Sequence, residues 1–316
     1  MATVYRKRFG FMPNPAVAEE IAGLDARLDC QRIVCLLSTY EFNWDITRSL
    51  EVALFYTYGS DAVSRLLDRT REFADHGQKR YDDTRLLIAQ FMESGLDDGP
   101  GARALARINQ THGHYRIPND DFLFVLWTFI DFPIRWTADF AWRPMTAHEQ
   151  RAWFNFWCEV AKRMGIADVP EDKTAFDVFV HAYRLRHFVP DAASQRVAAA
   201  TVRILEGWLP APLRGLASPA VFSLIDDPLF MDAVGVKPPS SSVRALVRGS
   251  LRRLGQTRRF WAQGAYPGGI KEAPNRTYPG NRYRIEDLQP VHLQRRAARE
   301  ASVSPAASAP APADVQ

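Results

Sequence analysis

The 316-residue sequence predicts an all-α protein built as a single large helical domain. Apolar residues recur three and four apart in one segment after another, the period of a helix face, and no segment sustains the alternation of a half-buried strand. Hydrophobic residues make up 47% of the chain and charged residues 24%, enough apolar surface to bury a sizeable core.

Residues 1–16 read as an irregular lead-in around Pro13 and Pro15. Val17, Ile21 and Leu24 then share a helix face. An apolar run from Cys30 to Ser38 leads to a helix through Leu50, Leu54 and Tyr58 that Gly59 is expected to end. Asp61 is placed to cap the next helix, with Val63, Leu66 and Leu67 inward. Thr84, Leu87, Ile88 and Phe91 share a face of a helix over 80–93. Gly95 to Gly101 is a loop, and 103–115 is helical again. Asn119 or Asp120 can cap the apolar stretch Phe122–Trp142, read as a buried helix pair. Thr146 with Glu149 forms a capping box ahead of the stripe Trp153, Phe156, Trp157 and Val160. Segments 175–187 and 194–208 complete the series. Proline-rich breaks at 210–212 and 238–239 precede a basic amphipathic helix at 243–259, with Arg244, Arg248 and Arg252 one turn apart. The domain is expected to span 17–298, and the Ala/Ser/Pro-rich tail 299–316 to be disordered.

Forty basic against 36 acidic residues leave a net charge of +4, too small an excess to call for nucleic acid. The 243–259 helix could carry its arginines onto phosphates or anionic lipid, but an amphipathic helix more commonly packs its apolar side on its own domain. Three cysteines cannot form a disulfide framework. The N-terminus lacks the apolar core of a signal peptide, and Phe122–Trp142 is broken by Asp131, Pro133, Arg135 and Asp139. A cytoplasmic protein is expected, with peripheral membrane contact through 243–259 as an option.

Dinucleotide, P-loop and nucleophile-elbow motifs are absent. Cys30, Cys35 and Cys158 fit no structural zinc spacing, and His148-Glu149 lacks the second histidine of a zincin, position 152 being Ala. The notable histidine is His112 in Arg107-Ile108-Asn109-Gln110-Thr111-His112-Gly113-His114-Tyr115. On a helix it shares a face with Ala104, Ile108 and Tyr115. Such an imidazole is either a core histidine bonded to a carbonyl or the ligand of a metal or haem iron, which needs one fixed nitrogen, apolar walls and a nearby cation. His114 points away from that face. Arg80 and Thr84, one turn apart, form either a polar pair beside a cofactor or an ordinary surface pair, the threonine bonding back to its helix.

The ordered set Arg80-Tyr81-Asp82-Asp83-Thr84, Arg107…His112-Gly113-His114-Tyr115-Arg116-Ile117-Pro118-Asn119-Asp120-Asp121, Phe122 to Phe129, Pro133-Ile134-Arg135-Trp136 and Trp142-Arg143-Pro144-Met145-Thr146 resembles the family that joins rubber oxygenases (latex clearing proteins) with MpaB-type oxygenases, and is nearer to the MpaB-type branch. The resemblance runs from about Gly59 to Tyr183, and more weakly over Tyr278 to Leu288. It implies an all-helical fold around a b-type haem, with His112 as the iron ligand, Arg80 and Thr84 as polar residues near the haem and Thr128 on the helix after the ligand helix; on this basis Arg80, Thr84, Arg107 and Thr128 are expected around the haem. The implied chemistry is O₂-dependent cleavage of a C=C bond in an apolar, isoprenoid- or lipid-like small molecule. The rubber-cleaving branch carries a lysine beside the threonine, where this chain has Asp83, so a lysine-capped iron is not expected. With no export signal, polymeric rubber is not expected as substrate. The alternative is a non-catalytic helical protein that binds haem or lipid at a membrane surface.

Overall fold

Fourteen α-helices carry most of the chain in the computed structural model, which describes residues 15–258, 260 and 269–303, the last three by backbone alone. They are α1 (Pro15–Gly23), α2 (Cys30–Leu36), α3 (Asn43–Tyr56), α4 (Asp61–Thr70), α5 (Glu72–Ser94), α6 (Gly99–His112), α7 (Asn119–Phe140), α8 (Ala147–Arg163), α9 (Lys173–His187), α10 (Ala192–Trp208), α11 (Ala217–Phe222), α12 (Pro228–Ala233), α13 (Ser241–Arg258) and α14 (Val291–Val303). Among the described residues there is no strand, so the all-α expectation holds. No helix among them is long and apolar enough to cross a membrane.

Helix α7 is the axis. It packs along α3, with α8, α9 and α13 also against it, while α5 pairs with α6 and α10 lies across α4 and α5. One continuous apolar core runs from Val17 to Val234 and joins these helices into a single domain. A smaller cluster, Leu86, Leu87, Ala104, Ile285 and Leu288, seats the segment before α14 on α5 and α6.

The expected helix pair at 122–142 is one continuous helix with Pro133 inside it. Proline has no N–H for the carbonyl four residues back. That carbonyl, of Phe129, accepts the indole N–H of Trp153 at 3.0 Å, so the break the sequence suggests is satisfied from α8. The Thr146–Glu149 capping box forms as expected, and the α8 stripe is buried. Other caps differ. Ser60, not Asp61, caps α4 by accepting the Val63 amide at 3.3 Å. Asn119 lies inside α7 and clasps the backbone of Ala167 with both ends of its amide, at 2.9 Å each. Gly59 sits in a 3₁₀ turn, where a Cβ would meet the Phe188 ring at 2.6 Å; close packing, not a left-handed cap, requires glycine there.

Helix α13 turns its arginine stripe toward the protein. Arg244 pairs with Asp226 at 2.6 Å, Arg248 with Asp139 at 2.6 Å, and Arg258 with buried Asp45 at 3.0 Å. Gly255 lies against the Phe140 carbonyl, and Leu246 and Leu254 point outward. The lead-in expected at 1–16 lies outside the described residues except for Pro15 and Ala16, which begin α1. Helix α14 runs to Val303, five residues past the expected domain end, and the rest of the expected tail, 304–316, lies outside the described residues.

Candidate functional site

A cavity of about 430 Å³ opens between α3, α4, α5, α6, α7 and α10. Its walls are mostly apolar: Phe55, Phe73, Ile108, Phe122, Val125 and Leu205 are among them. Val63, Leu66 and Leu67 of α4 are half-buried because they face this space. Three polar side chains read from the sequence converge here, Arg80 and Thr84 of α5 and His112 at the end of α6.

His112 ends α6 because Gly113 and the turn to Pro118 lead the chain into α7. Its ring lies 5.3 Å from that of Phe122. Nδ1 is buried and has no hydrogen-bond partner, so the carbonyl-bonded core histidine of the sequence reading is not what forms at that atom. Burial, with the Arg80 charge adding to it, pushes the imidazole down to about 4. It is therefore neutral, the form that binds iron, at physiological pH. His114 is exposed and does not line the cavity.

Arg80 donates to the Thr84 hydroxyl, which donates onward to the Arg80 carbonyl at 2.9 Å. The back-bond fixes the hydroxyl's lone pairs toward the guanidinium. Among the described residues no carboxylate pairs with Arg80, although Asp83 feels its charge. Arg80 is thus a cation at an apolar wall with no anion of its own.

Arg107 and Thr128 are not brought to the cavity. Arg107 bonds Gln110 at 2.8 Å, with its Nε buried and unpartnered, and burial lowers its guanidinium despite nearby Asp287 and Glu286. Thr128 is fully buried and bonds back to the Val125 carbonyl at 2.7 Å.

Other polar residues at the cavity were missed. Tyr81 donates to Glu51, which also pairs with Arg48 at 2.7 Å; burial raises both the Glu51 carboxyl and the Tyr81 phenol. Asp83 is buried between Lys79 and the Tyr278 hydroxyl, each at 2.5 Å, and burial lifts its carboxyl above the ordinary range. The hydroxyl of Tyr115, also in the lining, meets His292 Nε2 at 2.8 Å, and His292 Nδ1 meets Glu72, another lining residue, at 2.7 Å. These pairings join residues far apart in the chain, and no local pattern signals them. Asp83 and Tyr278 did fall within the stretches that carry the family resemblance.

The family model described as the catalytic domain of ER-bound oxygenase mpaB/B′ and rubber oxygenase matches residues 52–269, which hold the cavity's polar triad. The chain is 28% identical over 207 residues to the ER-bound oxygenase mpaB of Penicillium roqueforti (strain FM164), covering 60% of this chain and 70% of that protein. It is 28% identical over 211 residues to the ER-bound oxygenase mpaB′ of Penicillium brevicompactum and 29% over 198 residues to that organism's mpaB, covering 61% and 57% of this chain. The matches span half the length of each P. brevicompactum protein. With more than half of its length matched in one run, the chain belongs to the family of mpaB-type and rubber oxygenases.

Proposed function

We propose that this protein is a haem b-dependent oxygenase that cleaves a C=C bond of an apolar, isoprenoid- or lipid-like substrate with O₂. The observation that carries the reading is His112: a neutral imidazole with a buried, unpartnered nitrogen at the wall of an apolar cavity that also holds Arg80, a cation without an anion. The donor set fits haem better than a bare metal ion. Among the described residues no three His, Cys, Asp or Glu side chains gather as a metal site. A haem would ask the protein for one fixed nitrogen donor, apolar walls and a cation for its propionates. In this reading His112 would hold the iron and Arg80 would be the cation for the propionates, while Arg107 and Thr128 stand outside the cavity and would take no direct part.

Bound there, haem would supply the iron for O₂ chemistry. The chain supplies the rest. Thr84 holds the Arg80 guanidinium in place. Phe122, Val125, Leu205 and their neighbours receive an apolar chain and exclude water from it. Asp83, held by Lys79 and Tyr278, leaves no lysine at the position beside Thr84. The relatives named as oxygenases support the reaction class.

The test is a visible spectrum of protein purified from haem-supplied cells, followed by O₂ uptake with an alkene such as squalene. A Soret band with substrate-dependent O₂ uptake is expected. A Soret band without turnover across a panel of isoprenoid alkenes would leave the non-catalytic haem protein; no Soret band would end the proposal.

A further inference from the structure

On the outer side of the cavity wall, α4 and α10 frame a second groove of about 430 Å³. Four arginines line it: Arg69, Arg71, Arg196 and Arg203. Two are committed, Arg196 to Asp68 at 2.6 Å and Arg71 to Asp75 at 2.9 Å. Arg69 and Arg203 are exposed, and among the described residues neither has a carboxylate within ion-pair distance. Arg196 and Arg203 stand two turns apart on α10, with Ala199 and Ala200 between them leaving the floor open. Arg71 reaches the groove from a left-handed backbone (φ 57°) at the corner between α4 and α5, a conformation a non-glycine residue rarely adopts. Leu67 and Phe73 line both this groove and the apolar cavity, so the two spaces share a wall made of two side chains.

We infer that the groove binds the phosphoryl head of an amphipathic molecule whose apolar chain passes Leu67 and Phe73 into the cavity. Guanidinium groups suit phosphoryl oxygens because their planar donors engage two oxygens at once. A charged head left in the groove also fixes how far the chain reaches, which places one bond of a long chain at the polar end of the cavity. The inference rests on the proposed function for the use of that placement, but not for the binding itself.

Titration calorimetry of the full chain as purified, with dodecyl phosphate and with inorganic phosphate, tests it. Arg69→Gln with Arg203→Gln should weaken dodecyl phosphate by about tenfold or more, with the melting temperature unchanged; Arg203→Gln alone, at an exposed position, should weaken it in the same direction and serves if the pair folds poorly. Inorganic phosphate should bind at least about tenfold more weakly than dodecyl phosphate. Equal dodecyl phosphate affinity in wild type and variants overturns the site. Inorganic phosphate binding as tightly as dodecyl phosphate overturns the link to the cavity and leaves a site for free phosphate. Binding is read without turnover, so a protein that cleaves no alkene can still pass, and an active oxygenase can fail.

Discussion

The hydroxyl of Tyr115, three residues past His112, meets Nε2 of His292 at 2.8 Å and so ties the end of α6 to the start of α14, 177 residues further on. His292 is in turn fixed by Glu72, whose carboxylate also accepts the amides of Val291 and His292 at 3.1 and 3.2 Å. Burial alone would raise the Glu72 carboxyl; the His292 ring and these two amides outweigh it and hold it below its ordinary value. The junction links two residues of the cavity lining, Glu72 and Tyr115, through His292, with bonds that depend on each other.

Tyr115→Phe removes one bond of that junction and leaves the ring in place. A loss of about 1 kcal/mol in urea unfolding is expected, with faster protease cleavage within 291–303. Cleavage at the wild-type rate would show that α14 is held by its other contacts.

A second network joins distant segments around Arg143. Arg143 bridges Glu41 at 2.6 Å and Glu149 at 2.7 Å and lies over the Phe42 and Trp142 rings. Both carboxylates are buried, and burial lifts the Glu41 carboxyl. Arg143→Ala strands both and should cost about 3–5 kcal/mol. Thr146→Ala, which removes the neighbouring capping hydroxyl, should cost about 1 kcal/mol. A similar loss from both substitutions would mean that Arg143 acts as no more than a surface cation.

These contacts mark what was legible in the chain. The Thr146–Glu149 capping box could be read because both partners lie within one turn. Arg80, Thr84 and His112 could be placed on helices by spacing, but their convergence came from the family resemblance, since α5 and α6 pack through loop 95–98, which no local rule sets. Arg107 lies off the cavity lining for a reason the helix period already contains. It precedes His112 by five residues and so points about 140° away around the helix. Thr128 also lies off the lining, between Val125 and Phe129 that belong to it, and its hydroxyl is bonded to the Val125 carbonyl. The Pro133 break was misread because its remedy, the Trp153 indole, lies on another helix. The arginines of α13 looked like an outward face because their partners, Asp139 and Asp226, are distant in sequence.

Glu93 predicts a pH effect on stability. Its carboxylate accepts the Ile270 amide, and burial pushes its pKa up to about 7 despite that bond and the nearby Lys271. The folded protein therefore holds a proton here between about 4.5 and 7 that the unfolded chain releases. Folding takes up the proton, so the contribution is fully present below about 4.5 and is lost as pH rises through 7. Glu93→Gln keeps the carbonyl-type acceptor and removes the titration. It should gain on the order of 1–3 kcal/mol over wild type between pH 5 and pH 8, read as the difference in urea midpoints. Parallel pH profiles for the two proteins would place the Glu93 pKa near its ordinary value.

The decisive residue is His112, and the control is built into the same segment. His112 and His114 are two residues apart, so about 200° separates them around a helix. The structure carries that difference through: His112 faces the cavity with Nδ1 buried and unpartnered, and His114 is exposed. Among the described residues His112 is the one imidazole at the wall; His112→Ala removes it and, if it holds iron, should abolish the Soret band of protein from haem-supplied cells. His114→Ala should retain it. The substitution also removes a buried polar atom with no partner, which is a cost to the empty fold. The haem-free variant should therefore melt no lower than the haem-free wild type, apart from the cavity it enlarges, so a lost Soret band can be separated from unfolding by circular dichroism on the same samples. A band lost in His114→Ala and kept in His112→Ala would move the ligand to the exposed ring. Full bands in both variants would remove histidine ligation from this helix altogether.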